Sequence, residues 1–465
     1  MTNKPLVKLL RSPNGAYAYD ANRNEILSIQ DDSHDYLEKW LQGKGEASIP
    51  DEIQALLHAG YFSTNRISRI EHSYTTYLPG MLENDLDTIC LQVTQNCNLR
   101  CEYCVYSETN NEKQRSHSSG RMSKETMRKA IDFLHARSRY AKNIIVSFYG
   151  GEPLLEFPLI KKGIAYAEER FEGRSLTFNI TTNGTLLVPE VADHLFVHNT
   201  HLTISLDGPK EIHDRHRHFK NDGSFDRLMR NLDYIVQKHP EQISKMNISM
   251  VIDPQNSFEH ILEVFDQYPF LRKMSLLASI IDDTYSSEPV KSSVRYDTES
   301  SYHSFLGRLC ELNRLDKAQL SCITQNEINR SYTDIQNFRP ISSLGQTGCP
   351  GGPCLPGHRR LFCDINGNLF PCERVSEASS VMNIGTLETG FDMQKVLEIL
   401  NVARTTASNC KDCWAFLLCR QCARTADSGD RFEAGPRLKH CQESKIQAES
   451  FLQHMIMLDE IRNLY

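Results

Sequence analysis

The chain has 465 residues, 24% of them charged and 40% hydrophobic, with a formal net charge of −7. That length allows two or three domains with buried cores, and the negative charge argues against non-specific nucleic-acid binding, which needs a basic surface. No apolar run is long enough to span a bilayer and the first residues lack the apolar core of a secretion signal, so a cytosolic (cytoplasmic) protein away from membranes is expected. The 15 cysteines are not expected to form disulfides in such a compartment. Three lie within 97–104 and nine between 349 and 441, and clustering of this kind points to metal. Cys90, Cys310 and Cys322 stand apart and read as small buried apolar residues.

Residues 1–75 read as a separate module. Segments 15–19 and 25–29 alternate as strands around a polar turn at 20–24. Ser33 is placed to cap a helix carrying Tyr36, Leu37, Trp40 and Leu41. Pro50 opens a second helix, over 51–59, that Gly60 ends. A hairpin followed by helices and a closing L-x3-G-Y resembles the winged-helix-like leader-recognition module of peptide-modifying enzymes. The resemblance implies that an extended peptide adds to the hairpin edge or lies in the adjacent groove. The plainer alternative is a structural cap on the next domain.

Residues 85–285 alternate strands (88–93, 144–149, 176–181, 201–206, 246–252, 274–279) with helices (123–139, 156–170, 188–197, 225–237, 257–267), the first helix capped by Ser123. Such alternation predicts βα units, a parallel sheet, and ligands at the carboxyl ends of the strands. Directly after the first strand comes C-N-L-R-C-E-Y-C, with Cys97, Cys101 and Cys104 in C-x3-C-x2-C spacing. Thiolates are soft ligands for iron, and three of them leave one iron of a four-iron cubane open. A structural zinc loop, which prefers four protein ligands, and three buried free thiols are the alternatives.

This spacing closely resembles the signature of the radical S-adenosylmethionine (radical SAM) superfamily. Membership implies an α/β fold, a partial (β/α)6 barrel. It also implies a [4Fe–4S] cluster whose open iron chelates S-adenosyl-L-methionine, and a 5′-deoxyadenosyl radical that abstracts hydrogen from substrate. Gly150, Gly151 and Glu152 match the family's G-G-E motif. There glycines let the backbone approach closely, and a carboxylate or backbone carbonyl accepts from the methionine ammonium group. Asn183, in T-T-N-G, and Ser205, in S-L-D-G-P, resemble positions lining the SAM site; for Asn183 and Asp207 a turn-forming role is the even alternative. The polar run 213–218, H-D-R-H-R-H, reads as a solvated loop, with a contact of Arg215 or Arg217 to a SAM carboxylate or to substrate as the alternative.

Residues 286–345 read as a loop and two bridging helices, 296–315 and 325–338. Residues 346–465 hold Cys349, Cys354, Cys363 and Cys372, then Cys410-x2-Cys413-x5-Cys419-x2-Cys422, and Cys441. A hairpin turning at Asn366-Gly367 precedes Cys372. The order resembles the SPASM extension, which binds two auxiliary [4Fe–4S] clusters, with x2 where many members have x3 between the third and fourth cysteines of the central block. The resemblance implies that Cys410, Cys413, Cys419 and Cys441 hold the outer cluster. Cys372 and Cys422, with Cys354 and Cys349 beside them, are assigned to the inner one; Cys363, in a strand, is left out. The spacing alone also suits two zinc sites.

Segments 354–362, 371–375, 382–385 and 413–415 look most like the maturases that form thioethers in Cys-rich ribosomal peptides, the ranthipeptide and sactipeptide type. That implies a precursor peptide with leader and Cys-containing core as partner, and a low-potential electron donor such as flavodoxin or ferredoxin. The alternatives are a carbon–carbon cross-linking or epimerising peptide maturase, a sulfatase-maturing (formylglycine-forming) enzyme, and a non-enzymatic zinc-binding scaffold. In sulfatase-maturing relatives an aspartate base follows the equivalent of Cys372. Here that position is Glu373, with Arg374 beside it as an ion-pair partner.

Overall fold

The structure, a computed structural model, describes residues 4–44, 48–104, 117–282, 290–351 and 354–463. It opens with an antiparallel meander, β1 (Val7–Arg11), β2 (Ala16–Asp20) and β3 (Glu25–Ile29), with β2 in the centre. Helices α1 (Asp31–Gln42) and α2 (Asp51–His58) follow. The turn closing β2 on β3 falls where expected, and Asn24 there takes a φ of 50°, which asparagine tolerates. The sequence pattern did not reveal β1, whose V-K-L-L-R run breaks strict alternation. It also misplaced the start of α1: Gln30 is the N-cap, without a side-chain bond, and Ser33 is buried inside the first turn. Asp31 and Asp32 favour that end through the helix dipole instead.

The residues of β2 divide by parity, as a strand's must. Ala16 and Ala18 pack with Val7, Leu37, Ile53 and Phe62 under the two helices. Tyr17 and Tyr19 face the other way and share a core with Ile67, Ile70, Leu344, Phe416, Leu452 and Ile456. The N-terminal sheet is therefore a middle layer between its own helices and the cysteine-rich region.

After β4 (Arg69–Ile70) and α3 (Leu78–Asn84) comes the βα alternation. It runs β5 (Thr88–Thr94), α4 (Lys124–Arg137), β6 (Asn143–Gly150), α5 (Phe157–Arg170), β7 (Ser175–Thr182) and α6 (Pro189–Val197). It continues with β8 (Thr200–Ser205), α7 (Lys210–His216), α8 (Phe225–Lys238), β9 (Asn247–Ile252), α9 (Phe258–Gln267) and β10 (Ser275–Ile280). All six strands pair in parallel in sequence order. Only α7 was not expected. Ser123 caps α4, accepting from Thr126 N.

The strands have two chemically different faces. Ile144, Val146, Phe148, Phe178, Ile180, Leu202, Ile204, Ile248 and Met250 are buried in the large core beneath the helices. Their alternates, including Ser147, Asn179, Thr181, Thr203 and Ser249, are only half-buried. The sheet thus turns an apolar face to its helices and a polar one to the opposite side.

Helices α10 (Val294–Glu311) and α11 (Cys322–Asn337) bridge to the last region. There β11 (Thr347–Gly348) pairs with β4, and β12 (Leu361–Cys363), β13 (Asn368–Phe370), β14 (Gly385–Thr386) and β15 (Gly390–Phe391) continue the barrel sheet. β12 lies parallel against β5, so one ten-stranded sheet runs through both regions. The hairpin turns where expected: Asp364 Oδ1 accepts from Asn366 N and Asn368 N, each at 2.8 Å, and Gly367 takes a φ of 87°. Helices α12 (Met393–Leu400), α13 (Ala407–Cys410), α14 (Ala434–Lys439) and α15 (Cys441–Asn463) close the chain. Among the described residues no helix is long and apolar enough to cross a membrane.

Candidate cofactor and metal centre

The first site is built on the end of β5. Its register against β6 shifts between Gln92 and Thr94, and the backbone then turns into the loop carrying Cys97, Cys101 and Cys104. The end of β6 clasps this loop from below. Gly151 N donates to Thr94 O at 3.0 Å and Glu152 N to Asn96 O at 2.9 Å. A Cβ on Gly150 would lie 2.1 Å from Thr94 O, and one on Gly151 2.2 Å from Asn96 O. No side chain fits in that space, and Gly150 also takes a φ of 142°. The two glycines are required by the close approach of two backbones.

Glu152 is fully buried. Its Oε1 accepts from Leu154 N (3.0 Å) and Thr182 Oγ1 (2.8 Å), and its Oε2 from Asn183 N (2.8 Å). Burial raises its carboxyl to about 7, against these bonds. The carboxylate therefore ties the ends of β6 and β7 together.

Asn183 touches the cysteine loop directly: its Nδ2 donates to Asn98 Oδ1 at 2.9 Å and lies 4.0 Å from Cys97 Sγ. Its Oδ1 accepts from Thr185 N and Oγ1. The turn-forming role of Asn183 is present, and the same side chain reaches the cysteine loop. Ser205 is buried at the carboxyl end of β8. Cys97, Cys101 and Cys104 interact electrostatically with one another, and burial pushes Cys97 and Cys101 up to about 12. Three such thiols on one loop are a donor set that a metal must deprotonate.

The run 213–218 is not a solvated loop. It forms the end of α7 and the bend after it, and His213, His216 and Arg217 are buried. Arg217 Nε donates to Asp207 Oδ2 at 2.7 Å; Tyr103, between Cys101 and Cys104, donates its hydroxyl to the same oxygen. Asp207 Oδ1 accepts from Val251 N at 3.0 Å. The carboxyl of Asp207, which burial alone would raise, is held below its ordinary value by Arg217 and His213. The expectation of a solvated loop failed because the partner charge comes from Asp207, and the run is amphipathic only relative to it.

By their electrostatic influence on one another, the cysteines from 349 to 441 other than Cys363 fall into two sets. Cys354 interacts with Cys422 and Cys372. Cys410 interacts with Cys419 and Cys441, and Cys413 with Cys410 and Cys419. Cys349, assigned beside the inner set on sequence, interacts with Cys410 and Cys419. Its segment runs along 416–419: Gly351 N donates to Phe416 O at 3.1 Å. Cys363 is wholly buried in β12. Glu373 pairs with Arg360, not with its neighbour Arg374. Thr406 Oγ1 lies 3.3 Å from Cys410 Sγ, and Gln421 Nε2 donates to Cys441 Sγ at 3.5 Å.

Residues 91–267 match the family described as the radical SAM superfamily. This part of the chain is a radical SAM domain. Beyond it, the chain is 25% identical over 386 residues to the cysteine-type anaerobic sulfatase-maturating enzyme of Clostridium novyi (strain NT), covering 79% of this chain and 93% of that one. A serine-type anaerobic sulfatase-maturating enzyme of Bacteroides thetaiotaomicron is 30% identical over 195 residues, 40% of this chain and 46% of the relative. The solved structure of native anSMEcpe with bound AdoMet superposes with a TM-score of 0.57 at 18% identity, covering 80% of this chain and 99% of that one. That likeness is one of fold.

The residues present fit the groups the family implies. Three thiols on one loop at a strand end, with two glycines packed beneath the loop, suit a SAM-binding [4Fe–4S] cluster that Cys97, Cys101 and Cys104 would hold. With SAM bound, such a cluster supplies one electron and hence a primary carbon radical.

Proposed function

We propose that this protein is a peptide maturase that installs cysteine thioethers. The observation carrying the peptide part is the N-terminal layer. β3 pairs with β2 on one side, and among the described residues no strand covers its other edge. On the β1 side, Lys8, and Asn14 in the turn after β1, bind Glu449 (2.8 Å) and Glu460 (3.1 Å) of α15. An extended leader segment would add to β3, its main chain satisfying the open edge. The polar face of the barrel, with Ser147, Asn179, Thr203 and Ser249, would take the core segment.

Two auxiliary clusters are part of the same reading. Cys410, Cys413, Cys419 and Cys441 would hold the outer one, with Cys349 at its side. Cys354, Cys372 and Cys422 would hold the inner one, and three thiols there leave room for a substrate thiolate. Thioether formation removes two hydrogens from the peptide: one as an atom from the acceptor carbon, one as the thiol proton. The electron left over requires a one-electron acceptor, which a cluster held by Cys354, Cys372 and Cys422 would supply. Glu373 is engaged by Arg360, so its role is to hold the segment after Cys372.

A second reading, formylglycine formation, is favoured by the similarity spanning 93% of the Clostridium novyi relative. Mass spectrometry of a leader-bearing precursor separates the two. Thioether formation lowers the mass by two hydrogens per bond and leaves that cysteine unreactive to alkylation. Conversion of a cysteine to an aldehyde removes its sulfur, and that product would overturn the first reading.

A further inference from the structure

Arg217 is a buried cation behind the cysteine loop, which the sequence suggested only as an alternative contact for a SAM carboxylate or substrate. Its guanidinium carbon lies 5.3 Å from the centroid of the Tyr103 ring, and its Nε is on Asp207. The next residue closes the arrangement: His218 O accepts from Arg100 N at 3.0 Å, inside the cysteine loop. His216 packs its ring 5.5 Å from Tyr103 and bonds Asp253 at 3.0 Å. The segment after α7 therefore backs the loop at Arg100 and Tyr103.

We propose that Arg217 is a positioning residue of the radical step, fixing the Cys97–Cys104 loop and placing a permanent positive charge against the Cys101 side of the cluster held there. The inference rests on the cluster reading of the triplet. Asp207 offsets this charge: Arg217 and Tyr103 both donate to its Oδ2, so removing either member of the Arg217–Asp207 pair leaves the other's charge beside the loop. Reduction adds one electron to the cluster, so a positive charge beside it favours the reduced form and a negative one opposes it. In a site this buried, solvent screens the interaction little.

The test is a potentiometric titration followed by electron paramagnetic resonance on the full-length, reconstituted protein. The SAM-site component is recognised as the one whose signal changes when SAM is added. Arg217→Met, which leaves Asp207 uncompensated, is expected to shift that component to a more negative potential. Asp207→Asn, which frees the Arg217 charge, is expected to shift it to a more positive one, and Arg217→Lys to leave it near wild type. Opposite shifts are not what a merely structural role produces. Equal potentials in the Met and Asn variants would overturn the proposal, as would loss of the cluster in both the Met and the Lys variants. Wild-type protein without triplet-dependent iron would instead overturn the cluster reading itself.

Discussion

The two cysteine regions of this protein solve one problem in different ways. The Cys97–Cys104 loop hangs from a regular strand end, and its surroundings are rigid: two glycines under it, Glu152 tying β6 to β7, and the Arg217–Asp207–Tyr103 group behind it. Most of the cysteines from 349 to 441 sit on turns and on helices of a few residues; Cys363 lies in β12 and Cys441 opens α15. There the packing comes from outside, from the barrel core around Cys372 and, around Cys349 and Cys410, from the N-terminal sheet, where Tyr19 meets Trp414 edge-on with ring centroids 6.4 Å apart. A site made of regular βα units carries its own scaffold. One made of turns borrows it.

The largest expected effect separates the two regions by activity. Substituting Cys354, Cys372 and Cys422 by Ala should leave SAM cleavage to 5′-deoxyadenosine within a few-fold of wild type. Modified peptide should fall by more than about 100-fold, about 2.7 kcal/mol in barrier terms. Chromatography of both products from one reaction checks this; loss of deoxyadenosine as well would merge the two sites.

The borrowed scaffold is tested next. Tyr19→Ala should cost about 4 kcal/mol and lower the iron bound by the 349–441 cysteines while sparing the triplet's. Deleting residues 1–75 should do the same more severely, besides weakening leader binding measured by fluorescence anisotropy. An undiminished iron content after the deletion would show the cysteine-rich region to be self-supporting. Gly151→Ala should act in the opposite sense. It forces apart two backbones at a cost of about 3 kcal/mol, and iron should be lost from the triplet alone.

The smallest effect is on pH. Burial lowers His213 to about 4, with its ring between Asp207 N (3.4 Å) and Ser224 Oγ (3.0 Å). A histidine depressed from about 6.5 stabilises the fold fully above that pH, and loses the contribution as pH falls toward 4, up to about 3 kcal/mol. Denaturant titrations from pH 7 to 4 should show this slope, and His213→Asn should flatten it.

The barrel was legible because its signals are local. β5 is an apolar run of β-branched residues with cysteines at its end, and Ser123 caps α4 as its spacing implies. The G-G-E motif was legible as a motif, but the inward turn of Glu152 depends on Thr182 and Asn183, thirty residues on. His213, His216 and Arg217 were misread for the same reason, since a polar run is buried only where a distant carboxylate and ring receive it. Tyr17 and Tyr19 looked like one face of a small hairpin. Nothing near them in sequence announces Leu452 and Ile456 as their partners.

The central claim is that separate cysteine sets hold separate clusters. Iron and acid-labile sulfide per chain, after anaerobic reconstitution, test it most directly. Wild type should hold about twelve irons and the Cys97/Cys101/Cys104→Ala variant about eight, with SAM cleavage abolished only in the variant. About four irons with stoichiometric zinc in the wild type would contradict the auxiliary clusters, and no iron at all would contradict the whole account.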